Sequence, residues 1–230
     1  VHYLSSVLGA RPSGSINNKA AAAYIQAQME SLGFSVECQS FPCTDWACQK
    51  AELTFAGESV PILANPYSAC CDINAKIVPA ATLAQLEQAE LNGKIALLYG
   101  ELTRRPLACK NWFLKDVIDI RIIELLEEKQ PLAVLAVQPA PYSIDRIIED
   151  EDFLFPSATL PRASARELLL RLDESMHLQL KTTSIPSSTA NIIGRRAGNR
   201  PESIVICAHY DTKVDTPGAG DNAAGVAALL

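Results

Sequence analysis

The sequence predicts an α/β protein: one α/β/α domain with a mixed, mainly parallel sheet, supplied in two pieces and interrupted by a smaller, β-rich α/β module. Three observations predict it. Ser203-Ile204-Val205-Ile206-Cys207-Ala208 is the uninterrupted apolar run of a strand buried on both faces of a parallel sheet, which needs helices above and below it. Ala21, Tyr24, Ile25, Met29 and Leu32 share one face of a helix from about Asn17 to Leu32, with Gly33 as its stop. Between these lies a stretch of different texture, in which short apolar segments are separated by proline, asparagine and glycine. The domain boundaries that follow are 1–49 with 184–230 for the discontinuous domain, and 50–183 for the insertion.

Each element has its own local signal. Ser15 or Asn17 can cap the first helix, and Phe34 to Cys38 alternates like a half-buried strand. In the insertion, strands are expected at Ala51 to Phe55, Ala75 to Val78, Ile95 to Tyr99, Ala133 to Val137 and His177 to Leu180. Helices are expected at Thr82 to Leu91, Val117 to Lys129 and Ala163 to Leu172. Ile185-Pro186-Ser187-Ser188 reads as a linker back to the first domain, and Asn222 to Leu230 as the start of a further helix. That final apolar stretch has no glycine, proline or basic last turn to end it, so it reads as a cut.

Composition excludes several classes. With 48% hydrophobic residues, 230 residues can bury about 70% of their unfolded surface, which argues against disorder. No apolar run approaches the roughly 18 residues of a membrane helix, so no membrane span is expected. A net charge of −6, with basic residues only in small pairs such as Arg104-Arg105 and Arg195-Arg196, excludes a phosphate-tracking stripe and with it nucleic acid as a partner. The chain begins at Val1 without the pattern of a signal peptide, which leaves its compartment open. Seven cysteines guarantee an odd thiol; Cys38, Cys43 and Cys48 are too widely spaced for a zinc knuckle and read as thiols or disulfides, and Cys70, Cys71, Cys109 and Cys207 carry no functional expectation. Arg11-Pro12-Ser13-Gly14-Ser15 does not set a serine between glycines on a strand-to-helix turn, so it reads as a turn and helix cap.

The chemistry is concentrated after the buried run. His209 and Asp211, two apart in an extended segment, point to one side at the carboxyl end of a strand, where open α/β sheets bind ligands. A histidine that binds metal commonly donates its other ring nitrogen to a carboxylate, and Asp211 is placed to accept. Asp221 follows the turn Pro217-Gly218-Ala219-Gly220 and opens an alanine-rich helix, where its carboxylate could bridge two cations. The bland alternatives are a satisfied histidine at a strand end and a plain helix cap. His2 and His177 read as surface or structural.

With these residues the chain resembles the amino-terminal part of the di-zinc aminopeptidase family, which includes secreted bacterial and fungal leucyl-type aminopeptidases and the glutamate carboxypeptidases. The resemblance includes Arg11 to Ser15 with Asn18, Leu32 to Val36, and Thr189-Ala190-Asn191-Ile192-Ile193-Gly194, in the family's order. The insertion is similar to the family's protease-associated domain through Asn92-Gly93-Lys94-Ile95-Ala96-Leu97-Leu98 and Pro156-Ser157-Ala158-Thr159-Leu160. It departs from that pattern at Tyr99-Gly100-Glu101 and at Lys129-Gln130-Pro131-Leu132.

The resemblance implies a metallo-aminopeptidase with two zinc ions, His209 ligating one, Asp221 bridging both, Asp211 supporting His209, and a strained or cis Asp221-Asn222 peptide. It implies peptides with a free amino terminus as substrates, and favours a secreted or periplasmic protein. It also implies a Glu-Glu pair, a further carboxylate and a last histidine, none of which follows Asn222 here. Glu127-Glu128 and Glu149-Asp150-Glu151-Asp152 precede His209 and read as solvated charge runs. The insertion leaves roughly 95 residues for a fold that ordinarily has ~100–150 of its own. The chain is therefore expected to carry the first part of the site only and to be inactive alone. The alternatives are a non-catalytic relative acting as a protein- or peptide-binding module, and a piece that folds only in part because the 203–208 strand lacks neighbours.

Overall fold

The computed structural model of the protein describes all residues except 56, 109, 111, 113–115, 141–145 and 201. Cys109 lies outside the described residues. In chain order the elements are α1 (Ile16–Ser31), β1 (Ser35–Phe55), β2 (Glu58–Val60), β3 (Leu63–Ala64), β4 (Cys71–Ala80), α2 (Leu83–Gln88), β5 (Ile95–Leu98), α3 (Val117–Lys129), β6 (Ala133–Val137), β7 (Ser157–Leu160), α4 (Arg162–Leu169), β8 (Ser175–Arg195) and α5 (Ala224–Leu229). They divide into two compact units, Val1–Trp46 with Ser184–Leu230, and Ala47–Thr183. The chain passes from one unit to the other within β1 and again within β8.

In the first unit the Ser15 hydroxyl accepts from the backbone N–H of Asn18 and caps α1. Gly33, at φ +81°, ends the helix in the left-handed region. Ala21, Ile25 and Met29 turn one face of α1 into a small core with Leu4, Ala223 and Val226. Asn17 donates to the carbonyls of Leu8 and Ala10, so the start of the helix also holds the preceding loop.

The second unit carries the parallel strands. β4, β5, β6 and β7 pair in parallel in that order, β3 closes one side antiparallel to β7, and β8 pairs antiparallel with β4. β5 and β6 are buried throughout, as expected for strands covered on both faces. The Asp116 carboxylate caps α3 by accepting from the N–H groups of Ile118 and Asp119, and Ile122, Ile123, Leu125 and Leu126 form its buried face. The helix ends at Gln130 in the left-handed conformation.

Several expectations are corrected. Residues 203–208 form no strand: Ile204, Val205 and Ile206 are 90%, 87% and 72% exposed. A buried parallel strand needs backbone partners on both sides, and none lies alongside this run among the described residues. The expected linker at Ile185 to Ser188 is part of β8, because Pro186 fits extended backbone and the Ser187 hydroxyl is tied to the Gly14 carbonyl. The separate strands at Phe34 to Cys38 and Ala51 to Phe55 are one strand, β1.

Asp150 is buried rather than solvated, its carboxylate accepting from the backbone N–H groups of Lys110 and Asp152. Cys38, Cys43 and Cys48 all lie on β1, where a five-residue step spans about 17 Å, too far for a shared metal or a disulfide. Among the described residues no helix is long and apolar enough to cross a membrane.

On β4, burial pushes the Cys71 thiol up to about 11, with Cys70 and Asp72 adding in the same direction. At pH 8 only about a thousandth of Cys71 is thiolate. Iodoacetamide at pH 8 should label exposed Cys70 well before Cys71, and Cys71 labelling should rise about tenfold per pH unit up to pH 10. Peptide mapping by mass spectrometry reads both sites; equal rates at pH 8 would contradict the burial assigned to Cys71.

Candidate metal centre

The site is built in the first unit by the segment 208–225. His209 lies in a segment without regular secondary structure, with Nδ1 3.3 Å from Asp211 Oδ1 and from the Asp211 carbonyl, and Nε2 2.8 Å from Asp221 Oδ1. The imidazole is thus set between two carboxylates, one at each ring nitrogen. Asp221 is 89% exposed, so its carboxylate keeps open directions toward solvent.

Tyr210, between His209 and Asp211, fixes the tripeptide. Its hydroxyl donates to the Ala190 carbonyl and lies 3.0 Å from the Thr189 hydroxyl, while its own carbonyl accepts from Arg11 Nε at 2.6 Å. Thr212, at the end of the segment, exchanges hydrogen bonds with the Arg11 backbone: its hydroxyl accepts from Arg11 N–H, and its N–H donates to the Arg11 carbonyl.

Arg11 is the hub of this arrangement. Its side chain is fully buried and donates to the carbonyls of Leu4, Gly9, Tyr210, Pro217 and Gly218. Burial lowers the guanidinium pKa and the Asp211 carboxylate raises it in return. The planar fork thereby ties the His209–Asp211 segment to the turn that leads into Asp221. Gly218, at φ +60°, is required there: a side chain would come within 2.3 Å of the Thr212 methyl and 2.7 Å of the Asp221 carbonyl.

The turn ends in a cis peptide between Asp221 and Asn222. Asp221 does not cap the last helix; Asn222 does, its side-chain oxygen accepting from Gly225 N–H at 3.1 Å. A Cβ on Gly225 would lie 2.1 Å from that oxygen, so glycine is needed for the cap to close.

The donor chemistry fits zinc. Two ligands of one tetrahedral zinc stand roughly 3.3 Å apart, given bonds of about 2.0–2.2 Å. The 2.8 Å between His209 Nε2 and Asp221 Oδ1 is a direct hydrogen-bond contact inside that separation, so the two donors face each other and would part slightly to hold an ion, with a carboxylate behind the other ring nitrogen. Among the described residues no group of three or more histidine, cysteine or acidic side chains forms a fuller ligand set. Glu127 is instead paired with Lys110 in the second unit, and His177 with Asp72.

The structure brings His209, Asp211 and Asp221 together. The side chains that hold them carry no local signal in the sequence. Arg11 sits in a proline- and glycine-containing turn, and nothing local in such a turn tells an inward arginine from a solvated one.

Arg11→Ala would leave five carbonyls without their donor and should destabilise the first unit by about 3 kcal/mol or more. Arg11→Lys should recover only part, because an ammonium cannot reproduce the fork. Urea titration followed by the fluorescence of Trp46 reads the loss; a change below about 0.5 kcal/mol would show that the hub does not hold the segment.

The model of Peptidase family M28 matches residues 191–230, the part of the chain that contains His209, Asp211 and Asp221. Aminopeptidase YwaD of Bacillus subtilis (strain 168) is 23% identical over 235 residues, covering 100% of this chain and 48% of that protein. Among solved structures, the Peptidase M28 precursor from Shewanella amazonensis SB2B matches with a TM-score of 0.73 at 23% identity, over 99% of this chain and 57% of the other. BSAP, a zinc aminopeptidase from Bacillus subtilis, matches with a TM-score of 0.70 at 22% identity, over 99% and 53%. The chain thus spans about half the length of the relatives it matches. Residues 191–230 carry the match to peptidase family M28, and over its length the chain is similar to the Bacillus aminopeptidases and shares their fold.

Proposed function

We propose that the chain is part of a zinc-dependent aminopeptidase, in which His209 and Asp221 are the first two protein ligands of a two-metal centre and residues 50–183 form a protease-associated module. The observation that carries the reading is His209 held between two carboxylates, with Nε2 2.8 Å from Asp221 and Nδ1 backed by Asp211. The relatives named as aminopeptidases, one of them a zinc enzyme, support the same reading.

Each residue has a distinct task. To ligate through Nε2, His209 must be neutral and keep its proton on Nδ1, and Asp211 favours that tautomer by accepting the proton's hydrogen bond. Asp221, with two carboxylate oxygens and wide exposure, can serve two cations at once. Zinc bound there supplies a Lewis acid for the scissile carbonyl and a water of lowered pKa. Tyr210 and Arg11 keep His209 and Asp211 at fixed spacing. Two protein donors do not complete tetrahedral zinc, let alone a pair of ions, so the remaining ligands and the general base are assigned to sequence beyond these residues. The substrates are peptides with a free amino terminus, and a secreted or periplasmic location suits them.

The test uses the gene product that carries this sequence, with whatever residues follow Leu230. It should hold two zinc ions per chain by elemental analysis and release p-nitroaniline from leucyl-p-nitroanilide but not from its N-acetylated form. His209→Ala should lose bound zinc and activity together, Asp211→Asn should weaken zinc binding about 10–100-fold, and the 230-residue chain alone should be inactive. Unchanged zinc content in His209→Ala, or a gene product that binds no zinc, would instead favour a binding protein without a metal centre.

A further inference from the structure

We propose that the second unit contains a separate binding site for the carboxylate end of a short apolar peptide. The site is a cavity of about 810 Å³ lined in part by the residues that follow β5 and by the carboxyl end of β6, together with one side of α4. The carboxyl ends of parallel strands are where open α/β sheets take ligands. All the lining residues belong to the second unit, so the site does not depend on the reading of His209 and Asp221.

Three guanidinium groups, Arg104, Arg162 and Arg166, line the cavity against a single carboxylate, Glu101, in a chain whose formal charge is −6. Among the described residues Glu101 engages only Arg104, loosely, at 3.4 Å. Arg162 makes one long bond to the Pro139 carbonyl, and Arg166 has no partner among the described residues. Two arginines therefore keep most of their donors available to an anion, and a planar carboxylate matches the guanidinium fork.

A second, independent feature concerns neutral groups. Thr103 and Gln138 line the same cavity and are 1% and 5% exposed, yet neither the hydroxyl nor the side-chain amide has a hydrogen-bond partner among the described residues. Polar side chains so deeply buried are ordinarily paired. Neither is among the fully enclosed unpaired polar groups of the described residues, and both residues line the cavity, so both are placed to be satisfied by a ligand. A hydroxyl and a carboxamide each donate and accept, which suits the peptide group next to a terminal carboxylate. Val137 and Leu169 add apolar wall for the side chains that such a peptide would carry.

The experiment is calorimetric titration of the 230-residue chain with N-acetyl-leucyl-leucine, its C-terminal amide and inorganic phosphate. The acetyl group removes the free amine, so binding does not report on aminopeptidase chemistry. The acid should bind one to one, with the amide and phosphate at least about tenfold weaker. The double substitution Arg162→Ala with Arg166→Ala should weaken the acid at least about tenfold at an unchanged melting temperature, since both side chains are exposed. Gln138→Leu should weaken acid and amide alike. Equal binding of acid and amide, phosphate as tight as the acid, undiminished binding by the double variant, or no heat with the acid would each overturn the proposal.

Discussion

The candidate centre depends on one buried cation. Among the described residues Arg11 has no hydrogen-bonded carboxylate of its own; its charge is distributed over five backbone carbonyls from three places in the sequence. Burying an ion without such compensation costs several kcal/mol, so this conformation is stable only with all three places assembled. The carbonyls of Tyr210, Pro217 and Gly218 meet at one guanidinium, and the side chains between and beside them, His209, Asp211 and Asp221, converge as a consequence. The geometry of the three site residues is therefore set largely by a residue that touches none of their reacting atoms.

What could be read directly from the sequence follows from range. α3 was legible to its last residue because its cap, its buried face and its stop all lie within fifteen positions. β5 and β6 were legible as apolar runs between turn residues. The extent of β1 and β8 was not, because their middle portions are largely exposed or part-buried and lack the alternation that marks a half-buried strand. The run at 203–208 carries the strongest strand signal in the chain and is not a strand, since pairing is supplied by neighbours and not by composition.

The site residues were legible for a different reason. H-x-D followed by a glycine-rich turn and an aspartate encodes a spacing, and the fold had only to bring two short segments together. Their support was not legible, since Arg11, Tyr210 and Thr212 act through contacts between distant parts of the chain. The two units also differ in how far they bury their apolar segments. The second has a closed core and buried strands, whereas the first leaves three consecutive β-branched residues, Ile204 to Ile206, facing solvent beside its site.

The separation between Arg11 and its carbonyl partners has a consequence for how the chain is made. Arg11 bonds to residues 199 to 207 positions away, and the intervening sequence includes the whole second unit. At ~5–20 residues per second, the partners of Arg11 leave the ribosome about 10–40 s after it does. During that interval the second unit can fold while Arg11 stays hydrated, and the His209–Asp221 segment takes shape last. An early arginine is thus matched to a late loop, and the order of synthesis postpones assembly of the centre until the insertion is complete.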